Sequence, residues 1–215
     1  MVEVRISYFL EDALQEKFLP ALVKHVAVER LSLSPDMLKN PDVRNATGGK
    51  GVVMTELRKF LRDVQRGGEQ APDILVVAVD GNCQGFAEKR KEIEAMAQRA
   101  SYSRPLVCAV PDPHIERWYL GDVMALRKVL KSQVTLQLPS YKCERGYYKR
   151  ILYQAIADAD EHPLLGGASY GEEIAQCLNL YTVEKADTAF KHFVSSLRQA
   201  LAPFAYEEKQ KTPAT

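Results

Sequence analysis

The ten residues DILVVAVDGN, Asp73 to Asn82, constrain this chain more than any other stretch. A run of Ile, Leu and Val this continuous predicts a strand buried on both faces, the kind found in parallel α/β sheets. Such sheets collect their ligands at the carboxyl ends of their strands. Asp80 falls at that end and is followed by Gly81 and Asn82. A second acid, Glu11, stands where the apolar run of VRISYFLED gives out. If the two strands are neighbours, Glu11 and Asp80 meet at one sheet edge, and a pair of carboxylates there suits a hard divalent cation.

The rest of the amino-terminal half alternates between strand and helix signals. A strand is expected at Val2 to Leu10, a helix from Ala13 to His25 with Leu14, Phe18, Leu22 and Val23 at helical spacing, and a weaker strand at Ala27 to Leu33. A polar loop with two prolines and three glycines leads to a helix at Val52 to Arg66. After the Asp80 strand come a helix at Gln84 to Ala100 and a short strand at Pro105 to Val110. This alternation predicts a mainly parallel α/β sheet flanked by helices over residues 1–112.

Helices alone follow: Ile115 to Lys131 with an interruption at Gly121, Tyr147 to Ala159, Gly171 to Leu178, and Val183 to Leu201. They make a helical carboxy-terminal portion, 113–205, packed on the core, and the polar stretch 206–215 reads as a frayed tail.

At 215 residues and 46% hydrophobic, the chain can bury one generous core. Its 29 Lys and Arg against 28 Asp and Glu leave a net charge of +1, so attraction to nucleic acid has to come from a local patch. No apolar run approaches the roughly 20 residues needed to cross a bilayer, and the amino terminus is too acidic for a signal peptide. A cytoplasmic protein with no membrane contact is expected. Cys83, Cys108, Cys143 and Cys177 lie far apart without CxxC spacing, which predicts buried free thiols and neither zinc nor disulfides.

The segment PDPHIERWYLGD, residues 111 to 122, passes from a strand end through two prolines into an amphipathic helix carrying the only Trp. Ile115, Trp118 and Tyr119 face the core at helical spacing, while Glu116 projects in a neighbouring direction, toward the strand ends. Alternatively, Glu116 and Asp122 are solvated or capping acids, Asp122 being well suited to cap a second helix, Val123 to Lys131.

An amino-terminal strand ending in Glu, a second strand ending in Asp followed two places later by an acid, and parallel alternation between them are the marks of the Toprim fold, which this chain resembles. Topoisomerases, bacterial primases and nucleases of the overcoming-lysogenization-defect class share that fold. More narrowly, the chain is similar to small stand-alone Toprim-like proteins of bacteria, several linked to anti-phage defence. Those carry an IE-x-W-x-x-x-D segment, here IERWYLGD. The GGKG loop and the carboxy-terminal helices GEEIAQCLNL and ADTAFKHFVSSLRQ add to the likeness. The resemblance implies a Mg²⁺- or Mn²⁺-dependent nuclease. It makes Glu11, Asp80 and Glu116 catalytic and Asp80, Asn82, Glu116 and Asp122 metal ligands, with DNA or RNA as substrate and an ATPase as partner protein.

One departure matters. The second acid of the Asp-x-Asp pair is Asn82, which offers a neutral oxygen and no charge. Either Glu116 or Asp112 completes the site, or catalysis is lost and a nucleic-acid or protein-binding module remains. In the catalytic reading the cation polarises the scissile phosphate and Glu11 moves the proton.

GGKG at 48–51 lacks the flanking residues of a P-loop. The amides opening the Val52 helix, with Lys50, remain a candidate phosphate contact. Lys142, Arg145, Lys149 and Arg150, interleaved with Tyr141, Tyr147 and Tyr148, form a second candidate nucleic-acid contact. Lys89, Arg90 and Lys91 read as a solvated face. His114 adjoins the acids, and a structural role is the simpler expectation for it.

Overall fold

The computed structural model describes residues 3–38, 40–45, 49–133, 136, 141–159 and 164–211. Four strands form one all-parallel sheet in the order β2-β1-β3-β4: β1 Ile6–Leu10, β2 Asp42–Asn45, β3 Ile74–Ala78 and β4 Leu106–Ala109. The fold is thus α/β, a parallel sheet flanked by helices with a helical carboxy-terminal portion.

The period-two geometry of strands explains the uninterrupted apolar run of β3. Ile74, Val76 and Ala78 join Ile6, Tyr8 and Leu10 in the larger hydrophobic cluster, and Leu75 and Val77 join Phe9 in the smaller one on the opposite face. The smaller cluster is covered by α2 (Lys50–Gln65) and α3 (Phe86–Arg99), through Val53, Leu57, Phe60, Leu61, Ile93 and Ala97. The larger is covered by α1 (Ala13–Leu31) and the carboxy-terminal helices: α4 Glu116–Tyr119, α5 Val123–Leu130, α6 Tyr147–Ala157, α7 Gly171–Cys177, α8 Leu180–Ala186 and α9 Thr188–Lys211. Trp118 is fully buried in it, edge-on to Phe190 at 5.2 Å and tilted against Phe193 at 5.5 Å. The helical portion therefore completes the core of the sheet it follows.

Several expectations need correction. No strand occupies Ala27 to Leu33; α1 continues to Leu31 and ends where Ser32 turns left-handed and donates its N–H to the Ala27 and Val28 carbonyls. Val26 and Ala27 are buried on the helix's core side, and this packing outweighs the weak helix preference of the β-branched Val26 and Val28. The sheet's fourth strand, β2, lies in the stretch read as a polar loop. DVRN pairs Ser7 with Asp42 through Leu10 with Asn45 as a short charged edge strand, a type that carries no apolar alternation.

The expected helix at Val183 to Leu201 is two helices. Asp187 takes an extended conformation between α8 and α9, and its carboxylate accepts the Phe190 N–H at 2.8 Å. The stretch from Tyr206 to Lys211 is helical as part of α9, and the remaining four residues of the expected tail lie outside the described residues.

Candidate functional site

β1 and β3 are direct neighbours, in register from Ile6 with Ile74 to Phe9 with Val77, so the residues that follow them emerge side by side. Glu11 turns its carboxylate onto the adjacent strand end: Oε2 accepts the backbone N–H of Asp80 at 2.9 Å. Asp12 caps α1 by accepting the Gln15 N–H at 2.9 Å, which holds Gln15 beneath the strand ends. Gln15 is wholly buried. Its Oε1 accepts the Glu11 N–H at 2.8 Å and its Nε2 donates to Asp80 Oδ1 at 3.2 Å.

Asp80 is the centre of the cluster and only 9% exposed. Oδ1 also accepts the Ile115 N–H at 3.1 Å, and Oδ2 lies 3.1 Å from His114 Nδ1. Burial, together with the charges of Glu11, Asp12 and Glu116, lifts its pKa to about 7, although the His114 hydrogen bond pulls the other way. The hydrogen bond to Asp80 in turn raises the His114 pKa against the effect of burial. Glu116 and Asp12 titrate above the ordinary carboxylate range, chiefly because they are buried. Four acids, a histidine and a glutamine thus share one electrostatic neighbourhood at the sheet's carboxyl edge.

The loop after Asp80 is tied down from the other side. Gly81 is required by close approach, since a Cβ there would lie 2.5 Å from Asp112 Oδ1. That oxygen accepts the Cys83 N–H at 3.0 Å, and Oδ2 accepts the Tyr141 hydroxyl at 2.9 Å. Asn82 is exposed, and its amide donates to the Asp80 carbonyl at 3.3 Å. Cys83 and Cys143 form a disulfide, which corrects the expectation of four free thiols; Cys108 is free and buried, and Cys177 is free and half-buried.

Asp122 is committed elsewhere. One carboxylate oxygen caps α5 through the Met124 and Ala125 N–H groups, and the other accepts the Asn179 N–H at 2.8 Å. It joins α5 to the start of α8 and takes no part in the cluster.

In chemical kind the cluster suits a hard cation, being rich in carboxylate oxygen. In arrangement it does not: among the described residues no three His, Cys, Asp or Glu groups close around one cation position, and both Asp80 oxygens are engaged by donors.

The basic residues expected to touch nucleic acid divide in two. Lys50 opens α2, whose amino terminus has no side-chain cap, and its Nζ lies 3.0 Å from Glu92. Gly48 of the GGKG loop lies outside the described residues. Lys142, Arg145, Lys149 and Arg150 are exposed around the start of α6. Lys142 stands over the Tyr147 ring at 4.7 Å, Arg150 pairs with Glu144, and the charge of Lys149 reaches Asp12 and Glu116. Lys89 is buried against Gln84, and Arg90 pairs with Glu94 at 2.9 Å.

Gln15 and Asp12 were missed by reading the sequence. An Asp directly before a helical run is a cap signal, and Gln15 then falls at the third helical position, one turn from the strand end.

No curated protein and no solved structure matches this chain. Residues 10–198 match the family described as a domain of unknown function, DUF4276, a span that begins just before Glu11 and includes Asp80, His114, Glu116 and the helical portion as far as α9. The chain belongs to the DUF4276 family.

Proposed function

We propose that this protein is a Toprim-like nuclease hydrolysing phosphodiester bonds at the carboxyl edge of its sheet, in a cytoplasmic, defence-related setting with an ATPase partner. The observation that carries the reading is the convergence of Glu11 and Asp80, 69 residues apart in sequence and joined by a 2.9 Å hydrogen bond at adjacent strand ends. The groups able to move protons are this chain's own: His114, held through Nδ1 by Asp80 and with its side chain 20% exposed, and the buried Glu116. Lys149, close enough for its charge to reach Asp12 and Glu116, supplies positive charge for a phosphate.

Mg²⁺ or Mn²⁺ belongs to the proposal as the kind of ion these oxygens take. Because the cluster as arranged does not enclose one, no step is assigned to the ion. In a cytoplasm, Cys83 and Cys143 would meet reducing thiols, and both are exposed.

A second reading has its own support. With both Asp80 oxygens engaged and the uncharged Asn82 at the exposed position, the cluster also suits a catalytically silent module that binds nucleic acid or a protein. Incubating the purified protein with single- and double-stranded DNA and RNA, in Mg²⁺, Mn²⁺ or chelator, separates the two. Cleavage abolished by Asp80→Ala supports the nuclease. Cleavage that survives Asp80→Ala removes the assignment, and no cleavage of any substrate leaves the module.

A further inference from the structure

The face of the sheet turned away from the helical portion carries a feature that the acidic cluster does not use. α2 and α3 lie side by side there, with a groove of about 540 Å³ between them. Its floor is apolar, from Leu61, Ala95, Met96 and Ala100, and its walls carry Arg58, Arg62 and Arg99. All three arginines are exposed, and none has an ion-pair or hydrogen-bond partner for its side chain among the described residues. Among the described residues the one acid lining the groove is Glu92, which is already engaged by Lys50 at 3.0 Å. The groove therefore presents three uncompensated guanidinium groups.

Those groups are aligned. Arg58 and Arg62 are four residues apart on α2 and share a helix face. From Lys50, at the start of α2, to Arg62 the axis runs about 18 Å at the α-helical rise. Lys50 also feels the charge of Glu11, so the upper end of the row opens beside the acidic cluster. A row of unpaired arginines over an apolar floor, on a helix that starts near a cluster of acids, suits a ligand that is a regularly charged polyanion.

We infer that the α2–α3 groove is a binding track for the phosphodiester backbone of a single nucleic-acid strand, gripped by Arg58, Arg62 and Arg99 and directed toward Lys50 and Glu11. Guanidinium groups suit this role because their planar forks match phosphate oxygens. A flexible single strand can lay its phosphates into a groove between two helices, whereas a duplex, stiff over this length, cannot follow it. Among the described residues no aromatic side chain lines the groove, so bases have nothing there to stack on and binding is independent of sequence. The inference rests on nucleic acid being the partner and not on hydrolysis.

The test is fluorescence anisotropy with a labelled single-stranded oligonucleotide, in chelator, across a series of salt concentrations. Each phosphate neutralised on a single strand contributes a slope of about −0.7 in log K against log salt, so the three arginines together contribute about −2. Replacing all three with alanine is expected to weaken binding and to flatten the slope by that amount; the residues are exposed, and circular dichroism checks that the variant folds. An unchanged affinity and slope in the triple variant would overturn the inference, as would equal or tighter binding of a duplex or of poly-glutamate. The outcome is separable from the fate of the proposed chemistry. Cleavage with no effect of the arginines sinks the track alone, and arginine-dependent binding without cleavage sinks the hydrolysis alone.

Discussion

Glu11 and Asp80 are joined carboxylate to backbone: Oε2 of the first accepts the N–H of the second at 2.9 Å, across the ends of two paired parallel strands. The bond closes the sheet beyond its last regular pairing, Phe9 with Val77, and leaves the Asp80 side chain to turn inward toward Gln15, Ile115 and His114. Glu11 is thus first a positioning residue for Asp80, whatever chemistry the cluster performs.

That role can be separated from charge. Glu11→Ala leaves the buried Asp80 N–H without its acceptor, at a cost of about 1–3 kcal/mol. Glu11→Gln keeps an oxygen in place and should lose less than half as much. Urea denaturation of the two variants measures the difference. Equal losses would mean that the negative charge, and not the acceptor, holds the strand ends together.

Asp80 predicts an unusual dependence of stability on pH. Its pKa rises from 3.8 when unfolded to about 7 when folded, so between these values the native state holds more protons than the unfolded chain. By linkage, this group's contribution is fully present below pH 3.8 and is lost as pH rises toward 7. The raised pKa values of Glu116 and Asp12 act in the same sense. Asp80→Asn stays neutral throughout and keeps an oxygen for Gln15 and Ile115. It should melt at a higher temperature than the natural protein at pH 8, with a flatter pH profile. A variant that melts lower at every pH would show that the ionised carboxylate is what the site stabilises.

Gly81 tests the fit of the two loops. Alanine there would set its Cβ 2.5 Å from Asp112 Oδ1 and 2.9 Å from the Asp112 Cβ and Cγ, so one loop must shift. Gly81→Ala is expected to cost about 1–3 kcal/mol. The double variant with Asp112→Ala, which removes the carboxyl group, should recover part of that loss, and strict additivity in the cycle would refute the contact.

Much of this architecture was legible because it rests on pattern. The apolar run ending at Asp80 implied a strand buried on both faces, and β3 is that strand, flanked by β1 and β4. The Gly121 interruption separates α4 from α5, where Asp122 caps the second helix. What escaped notice has no local signature. β2 is polar because it is a short edge. Arg58 and Arg62 look like any solvated helix face until α3 brings Arg99 alongside. The hydrogen bonds of His114 and Gln15 to Asp80 form only in the folded chain, 34 and 65 residues away in sequence, although the position of His114 beside the acids and the Asp12 cap signal were there to read.

The pairing of Cys83 with Cys143 was equally invisible, because sixty residues separate them and no spacing rule marks the pair. In the fold, the disulfide and the Tyr141–Asp112 hydrogen bond clamp the approach to α6 onto the loop that follows Asp80. Closing a loop of this length restricts the unfolded chain, and losing such a crosslink typically costs about 2–4 kcal/mol. The double variant Cys83→Ser/Cys143→Ser should therefore unfold at lower urea, and the reduced natural protein should match it. Limited proteolysis should then cut first near Tyr141 to Glu144, which are exposed and would be held by the Tyr141 hydrogen bond to Asp112, the Lys142 N–H bond to Tyr148 and the surface pair of Glu144 with Arg150, with no covalent tether to the Asp80 loop. Because Asp112 also holds the Cys83 N–H, weakening at this clamp should spread to the Asp80 loop. The amide of Asn82, which donates to the Pro113 carbonyl at 2.9 Å, should exchange hydrogen faster after reduction. Unchanged exchange at Asn82, alongside a lowered overall stability, would show that the crosslink steadies the helical portion without bracing the acidic cluster.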